Sequence, residues 1–221
     1  MKMSMVIDLA KCIGCDACSV ACKIENSLPE DIWWAPVIQR EVGKFPKAGL
    51  QFLPLLCMHC EDPPCMKSCP TKAISQRSDG IVLINEDRCA GSRACISACP
   101  YNAISLWDKR SDGNPALEDS KFQTPVSLMA EKKHRMGAAQ KCTFCSHRVD
   151  FAKENGLTPG VDRMATPACV VTCPANCRIF GDVEDLNSPP SKYVREAESD
   201  GRTVFVLRPE AKSKPKVAYV W

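Results

Sequence analysis

The stretch Cys12-Ile13-Gly14-Cys15-Asp16-Ala17-Cys18-Ser19-Val20-Ala21-Cys22 decides how this chain is read. Its spacing, C-x2-C-x2-C-x3-C, recurs in altered form along the sequence. Cys57, Cys60, Cys65 and Cys69 read C-x2-C-x4-C-x3-C and precede Pro70. Cys89, Cys95 and Cys99 read C-x5-C-x3-C and precede Pro100. A fourth group is split: Cys142 and Cys145 as C-x2-C, then, after a long spacer, Cys169 and Cys173 with Pro174. Cys177 is left over. Sixteen cysteines in 221 residues is about 7%, several times the usual share. So many thiols must be explained as bridges or as ligands.

A disulfide scaffold suits small secreted chains in oxidising compartments, and this chain is neither short nor marked by a secretion signal. Three cysteines within residues 12–18 would also crowd each other's bridge geometry. Structural zinc uses C-x2-C knuckles separated by a spacer. The split group could pass for such a site, but C-x2-C-x2-C-x3-C could not. Iron–sulfur ligation fits all four groups. Three closely spaced cysteines hold one cluster, and the fourth, beside proline, turns toward another.

If each fourth cysteine serves a neighbour, the groups pair reciprocally. Groups two and three are joined by Ala73–Ile84, which reads as strand, Asp79-Gly80 turn, strand. The first and fourth groups then pair across the chain, bringing Met3–Asp8 near Arg178-Ile179-Phe180. The expected ligand sets are Cys12, Cys15, Cys18 with Cys173; Cys22 with Cys142, Cys145, Cys169; Cys57, Cys60, Cys65 with Cys99; and Cys89, Cys95 with Cys69. Cys18 and Cys22 lie about 6 Å apart along a helix yet serve different clusters, so neighbouring centres sit on the order of 10 Å apart.

The last set is one ligand short, because Ser92 stands where the spacing calls for cysteine. Three outcomes are open: a [3Fe–4S] cluster, a [4Fe–4S] cluster with a hydroxyl or water on the fourth iron and Ser92 as a candidate ligand, or no cluster. Serine oxygen is a harder ligand than thiolate and weakens retention of the fourth iron.

Composition excludes other classes. Twenty-nine Lys and Arg against 26 Asp and Glu give a formal charge of +3, too little to indicate nucleic acid. Four oxidised clusters at roughly −2 each would reverse that to about −5. No apolar run is long enough to span a bilayer, and the start, Met1–Asp8, shows no signal-peptide core or twin-arginine pair. Localisation is left between the cytoplasm and export alongside a signal-bearing partner. No nucleophile–base pair or phosphate loop is present, so no catalytic residue is expected.

With these motifs in place, the chain resembles the four-cluster iron–sulfur subunits of molybdopterin oxidoreductases, the polysulfide, thiosulfate, tetrathionate and arsenate reductase type. The resemblance is carried by Met5-Val6-Ile7-Asp8 through Cys15, Cys57–Cys60, Cys99-Pro100-Tyr101, Lys141–Cys145, and Cys173-Pro174 with Phe180-Gly181-Asp182. Cys177 has a counterpart in some polysulfide and tetrathionate members. The resemblance implies an α+β fold of two ferredoxin-like domains related by a pseudo-twofold, each holding two clusters. It also implies a molybdenum or tungsten pterin catalytic subunit as partner, and often a quinone-binding membrane subunit. Ser92 falls where respiratory nitrate reductases carry a non-cysteine residue and a three-iron cluster, the one farthest from the pterin. Two alternatives stand beside the electron-transfer reading: a subunit of a non-redox pyrogallol-type transhydroxylase, and a free-standing soluble polyferredoxin.

The expected organisation is a discontinuous domain of residues 1–50 and 135–185, an inserted domain of 51–110, a turn-rich surface insertion at 111–134, and a C-terminal extension of 186–221. The extension holds a short helix near 191–199 and a strand at Thr203–Leu207. His59 and His147 flank ligands, as either hydrogen-bonding tuners or plain packing. Lys23 replaces the proline expected after Cys22, either as a cation beside a cluster or, more commonly, as a solvated lysine. Lys132-Lys133-His134-Arg135 reads as a solvated or partner-facing loop. Trp33 and Trp34 cannot both face one core, which leaves one free to anchor a partner. Cys177 reads as a buried small residue.

Overall fold

The computed structural model describes residues 1–108 and 125–221, and its centre is strand β1 (Met3–Asp8), all six residues of which are buried. A strand buried on both faces needs two covers, and side-chain alternation supplies the contacts. Met3, Met5 and Ile7 join the main core with Leu56, Phe144, Phe180 and Tyr219. Val6 faces the other way, against Ala197 and Val220. Ala197 belongs to α7 (Pro189–Ser199), which starts on proline as helices favour.

Strand β8 (Arg178–Asp182) pairs antiparallel with β1, Met5 opposite Phe180, which is the juxtaposition expected of groups one and four. The other edge of β1 takes β10 (Val217–Val220) in parallel, Met5 opposite Val217. β9 (Val204–Phe205) completes the order β8-β1-β10-β9. The strand expected at 203–207 is thus two residues long, and the last residues of the chain are an interior strand of the central sheet. Their apolar run Val217-Ala218-Tyr219-Val220 is what a doubly covered strand requires.

The smaller sheets are antiparallel pairs. β4 (Ile74–Gln76) and β5 (Val82–Ile84) form the hairpin expected between groups two and three, Ile74 opposite Ile84. β2 (Val37–Val42) and β3 (Gly49–Pro54) form another, and residue 50 lies inside β3. β6 (Ser105–Leu106) pairs with β7 (Ala139–Gln140). Residues 111–124 of the segment read as an insertion lie outside the described residues, as do residues 109 and 110. The segment's remainder is helical rather than turn-rich: α4 (Pro125–Lys133) also opens on proline.

Helices follow the cysteine groups, as expected. They are α1 (Ala17–Asn26), α2 (Pro64–Lys67), α3 (Ala94–Ala98), α5 (Ser146–Asn155) and α6 (Ala168–Val171). A residue in the left-handed conformation precedes three of them: Asp16 before α1, Arg93 before α3 and Cys145 before α5. α3 stops at Cys99, just before Pro100, because a residue preceding proline is driven out of the helical region. Lys23 imposes no such stop, so α1 runs on to Asn26. Among the described residues no helix is long and apolar enough to cross a membrane.

Candidate iron–sulfur sites

The fold gathers cysteines from separate groups. Cys57, Cys60, Cys65 and Cys99 line one cavity with Met58, Pro64, Val82 and Tyr101. Cys69, Cys89, Cys95 and Ser92 line a second with Thr71, Ile84, Arg93 and Ala139. Ser92 is therefore at the site that lacks a cysteine. Cys22 has Cys169 and Cys145 as electrostatic neighbours, and Cys142 has Cys22 and Cys169, which brings the second expected set together. Cys12 and Cys173 both border Cys177, while Cys15 and Cys18 are fixed beside Cys12 by the turn into α1.

The turns present backbone donors to sulfur in a repeated way. His59 N–H donates to Cys57 Sγ at 3.5 Å and Phe144 N–H to Cys142 Sγ at 3.4 Å, both donors having positive φ. After each Cys-Pro pair the chain turns back so that the fourth residue onward donates to the cysteine. Ala73 N–H reaches Cys69 Sγ at 3.3 Å, Ala103 N–H reaches Cys99 Sγ at 3.5 Å, and Cys177 N–H reaches Cys173 Sγ at 3.4 Å. Cys22, which lacks the proline, takes its donor from a side chain: Asn26 Nδ2 lies 3.6 Å from its Sγ. Ala139 N–H donates to Cys89 Sγ at 3.4 Å, so β7 braces the Ser92 site.

Burial pushes several of these thiols up: Cys60 to about 11, Cys65 to about 12 and Cys145 to about 12. Cys22 and Cys142 are driven higher still by burial and by neighbouring cysteines. Cys69 and Cys173 go the other way. Burial opposes ionisation there, but hydrogen bonds from Thr71 and Ala73, and from Cys177, outweigh it. Buried thiolates in such numbers need cationic metal to be stable. The sulfurs surround cavities, and among the described residues no set of three or more Cys, His, Asp or Glu side chains is placed for a single ion. Thiols ringed round a cavity, several of them met by N–H donors, fit a multi-atom cluster that has sulfur corners of its own.

Several flanking residues take places that the sequence reading left open or read otherwise. His59 is fully buried, accepts at Nδ1 from Val82 N–H at 3.0 Å, and lies against the Phe144 ring, centroids 3.8 Å apart. Burial, with Lys141 and Lys216 nearby, holds it well below the usual histidine range. His147 is exposed and pairs with Glu25 at 2.7 Å. Lys23 is half-buried and turned to a loop. Its Nζ donates to the carbonyls of Pro29, Glu30 and Ile32 at 2.8, 2.6 and 3.2 Å and lies 4.1 Å over the Trp33 ring. Trp34 is buried and Trp33 exposed. Of the basic run at 132–135, Lys132, Lys133 and Arg135 are exposed, as expected, while His134 is not. His134 is buried between Glu86 Oε1 at 2.8 Å and the Asn26 carbonyl at 2.9 Å, and Arg135 Nε donates to the Glu86 carbonyl at 2.7 Å. Cys177 is buried, its Sγ 3.5 Å from Cys173 Sγ.

Sequence reading missed Asn26, Lys141 and Arg178 as residues of the sites. For Arg178 a signal existed: in a strand it shares a face with Phe180, two residues on, and Phe180 faces the core. Nothing local marks Lys141, which is buried by the meeting of β5 with the loop before Cys142.

Cavities ringed by cross-paired cysteines, on a frame of short helices and small sheets, define an iron–sulfur protein of ferredoxin-like kind. The 4Fe-4S dicluster domain family matches residues 48–114. The iron–sulfur subunit of the arsenate respiratory reductase of Shewanella is 34% identical over 245 residues, covering 100% of this chain and 96% of the relative. A subunit of the selenate reductase of Mesobacillus selenatarsenatis is 39% identical, covering 98% and 70%. The iron–sulfur cluster-binding subunit of the menaquinone reductase of Nitratidesulfovibrio vulgaris is 33% identical, covering 100% and 89%. The chain belongs to the iron–sulfur electron-transfer subunits of molybdopterin oxidoreductases, the non-catalytic member of such complexes.

Proposed function

We propose that the chain relays electrons between a molybdenum or tungsten pterin catalytic subunit and a quinone-linked membrane subunit or soluble carrier. Four clusters would serve, held by the four expected cysteine sets, with the set of Cys69, Cys89 and Cys95 carrying either a [3Fe–4S] cluster or a [4Fe–4S] cluster completed by Ser92 or water. The observation that carries this reading is the crossing: Cys99 joins Cys57, Cys60 and Cys65, while Cys69 joins Cys89 and Cys95. A bound cluster supplies one-electron capacity. The chain's residues ligate it, exclude water and aim N–H donors at its thiolates, which sets the potential. The repeated turns at residues 12–18 and 89–95, and at 57–60 and 142–145, support two ferredoxin-like halves related by a pseudo-twofold, residues 1–50 with 135–185 and residues 51–110. The pairing of β10 with β1, and of β9 with β10, favours counting much of 186–221 with the first half.

The test is isolation of the native complex without oxygen, with metal, sulfide and spectroscopic analysis. The reading expects about 15 or 16 iron atoms and, in either case, about 16 acid-labile sulfides per chain, and a co-eluting larger chain that contains molybdenum or tungsten. A chain that elutes alone with full iron would favour the polyferredoxin. A complex whose partner turns over without accepting electrons from reduced carrier would favour the transhydroxylase.

A further inference from the structure

Burying an ion is costly unless it is paired. The buried carboxylates obey this. Asp8 accepts from Arg202 Nη2 at 2.6 Å and Ala10 N–H at 2.9 Å, and Asp79 from Arg77 Nη2 at 2.8 Å and Lys153 Nζ at 3.0 Å. Among the described residues two Lys or Arg side chains are equally buried, Lys141 and Arg178, and no described carboxylate pairs with either.

Both stand at junctions between cysteine sets. Arg178 Nη1 is 3.9 Å from Met5 Sδ and 4.0 Å from Cys169 Sγ, while its Nε and Nη2 have no hydrogen-bond partner. Its electrostatic neighbours include Cys169 and Cys18, one from the second set and one from the first. Lys141 Nζ donates to the Val82 and Cys142 carbonyls, the latter at 3.1 Å. Val82 lines the cavity of the third set, Lys141 acts electrostatically on Cys65 there, and Cys142 belongs to the second set. Between the third and fourth sets the described residues include no buried Lys or Arg; Lys67 and Arg93 nearby are exposed.

We infer that Arg178 and Lys141 are counter-charges, placed between the first and second and between the second and third cluster sites, that hold the potentials of the adjoining clusters up. A cluster gains one negative charge on reduction, and a fixed cation in a low-dielectric interior favours that form. The unpartnered nitrogens of Arg178 are then the face turned to the anionic centres. Both are positioning residues: they ligate nothing and act through the field at the clusters. The inference rests on the ligand sets proposed above.

The test is potentiometric EPR of the intact complex carrying R178M, R178Q, R178K, K141M or K141R, with iron measured in each. In R178M and R178Q the reduced-to-oxidised ratio of the first two clusters at a fixed ambient potential should drop at least tenfold, a shift of about 59 mV for one electron. The fourth cluster should not move, and R178K should restore most of the shift. K141M should lower the second and third clusters, with K141R restoring them. Loss of iron from both neutral Arg178 variants but not from R178K would also show that the charge is required. Unmoved potentials, or equal shifts in neutral and charge-conserving variants, would overturn the inference, as would loss of iron from all three Arg178 variants, since each assigns these side chains to packing. Wild-type complex lacking clusters would instead sink the ligand reading, so the two failures are told apart.

Discussion

The turns at residues 12–18 and 89–95 follow one backbone course with different chemistry at its tip. Gly14 and Gly91 have φ of 68° and 67°, Asp16 and Arg93 follow at 54° and 60°, and a helix begins at Ala17 or Ala94. Cys15 and Ser92 occupy the same place in the two turns, and both are exposed. The conformation therefore does not depend on the ligand. Glycine and a left-handed residue shape the loop, and the side chain between them is free to change the site's chemistry without changing the fold. Beyond the turns the two regions diverge, because Pro100 stops α3 where Lys23 lets α1 continue.

The sharpest way to break the comparison is C15S in the intact complex. It gives the first site the ligand set of the fourth, and iron should fall by about one atom per chain as a new three-iron signal grows in the oxidised EPR spectrum. The reverse change, S92C, adds a thiolate at a place already shaped for one. It should abolish any three-iron signal present in wild type and raise iron toward the full count. Identical spectra and iron in wild type and S92C would show that position 92 does not face the cluster.

Smaller effects test the shared loop. An added Cβ at Gly91 would sit 2.7 Å from the Gly137 carbonyl oxygen, a backbone atom, whereas at Gly14 it would meet the Phe52 ring at 2.2 Å. A side chain can swing away and a backbone carbonyl cannot, so G91A should destabilise by about 1–3 kcal/mol and G14A by less, read as paired thermal melts of cluster-loaded protein. The smallest change expected is from N26A, which removes the side-chain donor to Cys22 Sγ and its 3.0 Å bond to the Cys22 carbonyl. It should cost about 1 kcal/mol and lower one cluster's potential, while the third group, whose Cys99 takes its donor from the Ala103 backbone, offers no equivalent side chain to delete.

Much of this organisation was legible because cysteine spacing is a local property with a specific non-local consequence. The crossings of Cys69 and Cys99 follow from the proline after each, and the pairing of Met3–Asp8 with Arg178–Phe180 follows from the crossing of the other two groups. The places of Lys23 and His134 were not legible for the opposite reason. A basic side chain carries no mark of whether carbonyls or water will surround it; the loop carbonyls of residues 29–32 and the carboxylate of Glu86 decide that, and they lie far off in sequence or in loops without periodicity.

By itself, then, the sequence determined the grouping of the thiols, the hairpin that joins the second group to the third, the departure at Ser92 and the family. Tertiary structure alone decided that Val217–Val220 is an interior strand, that the Ser92 cavity is braced by Ala139, and that Lys141 and Arg178 are buried. The physical reason is range. Ligand spacing and turn formation are settled within a few residues, whereas strand partners and the burial of a charge depend on which distant segments pack against it.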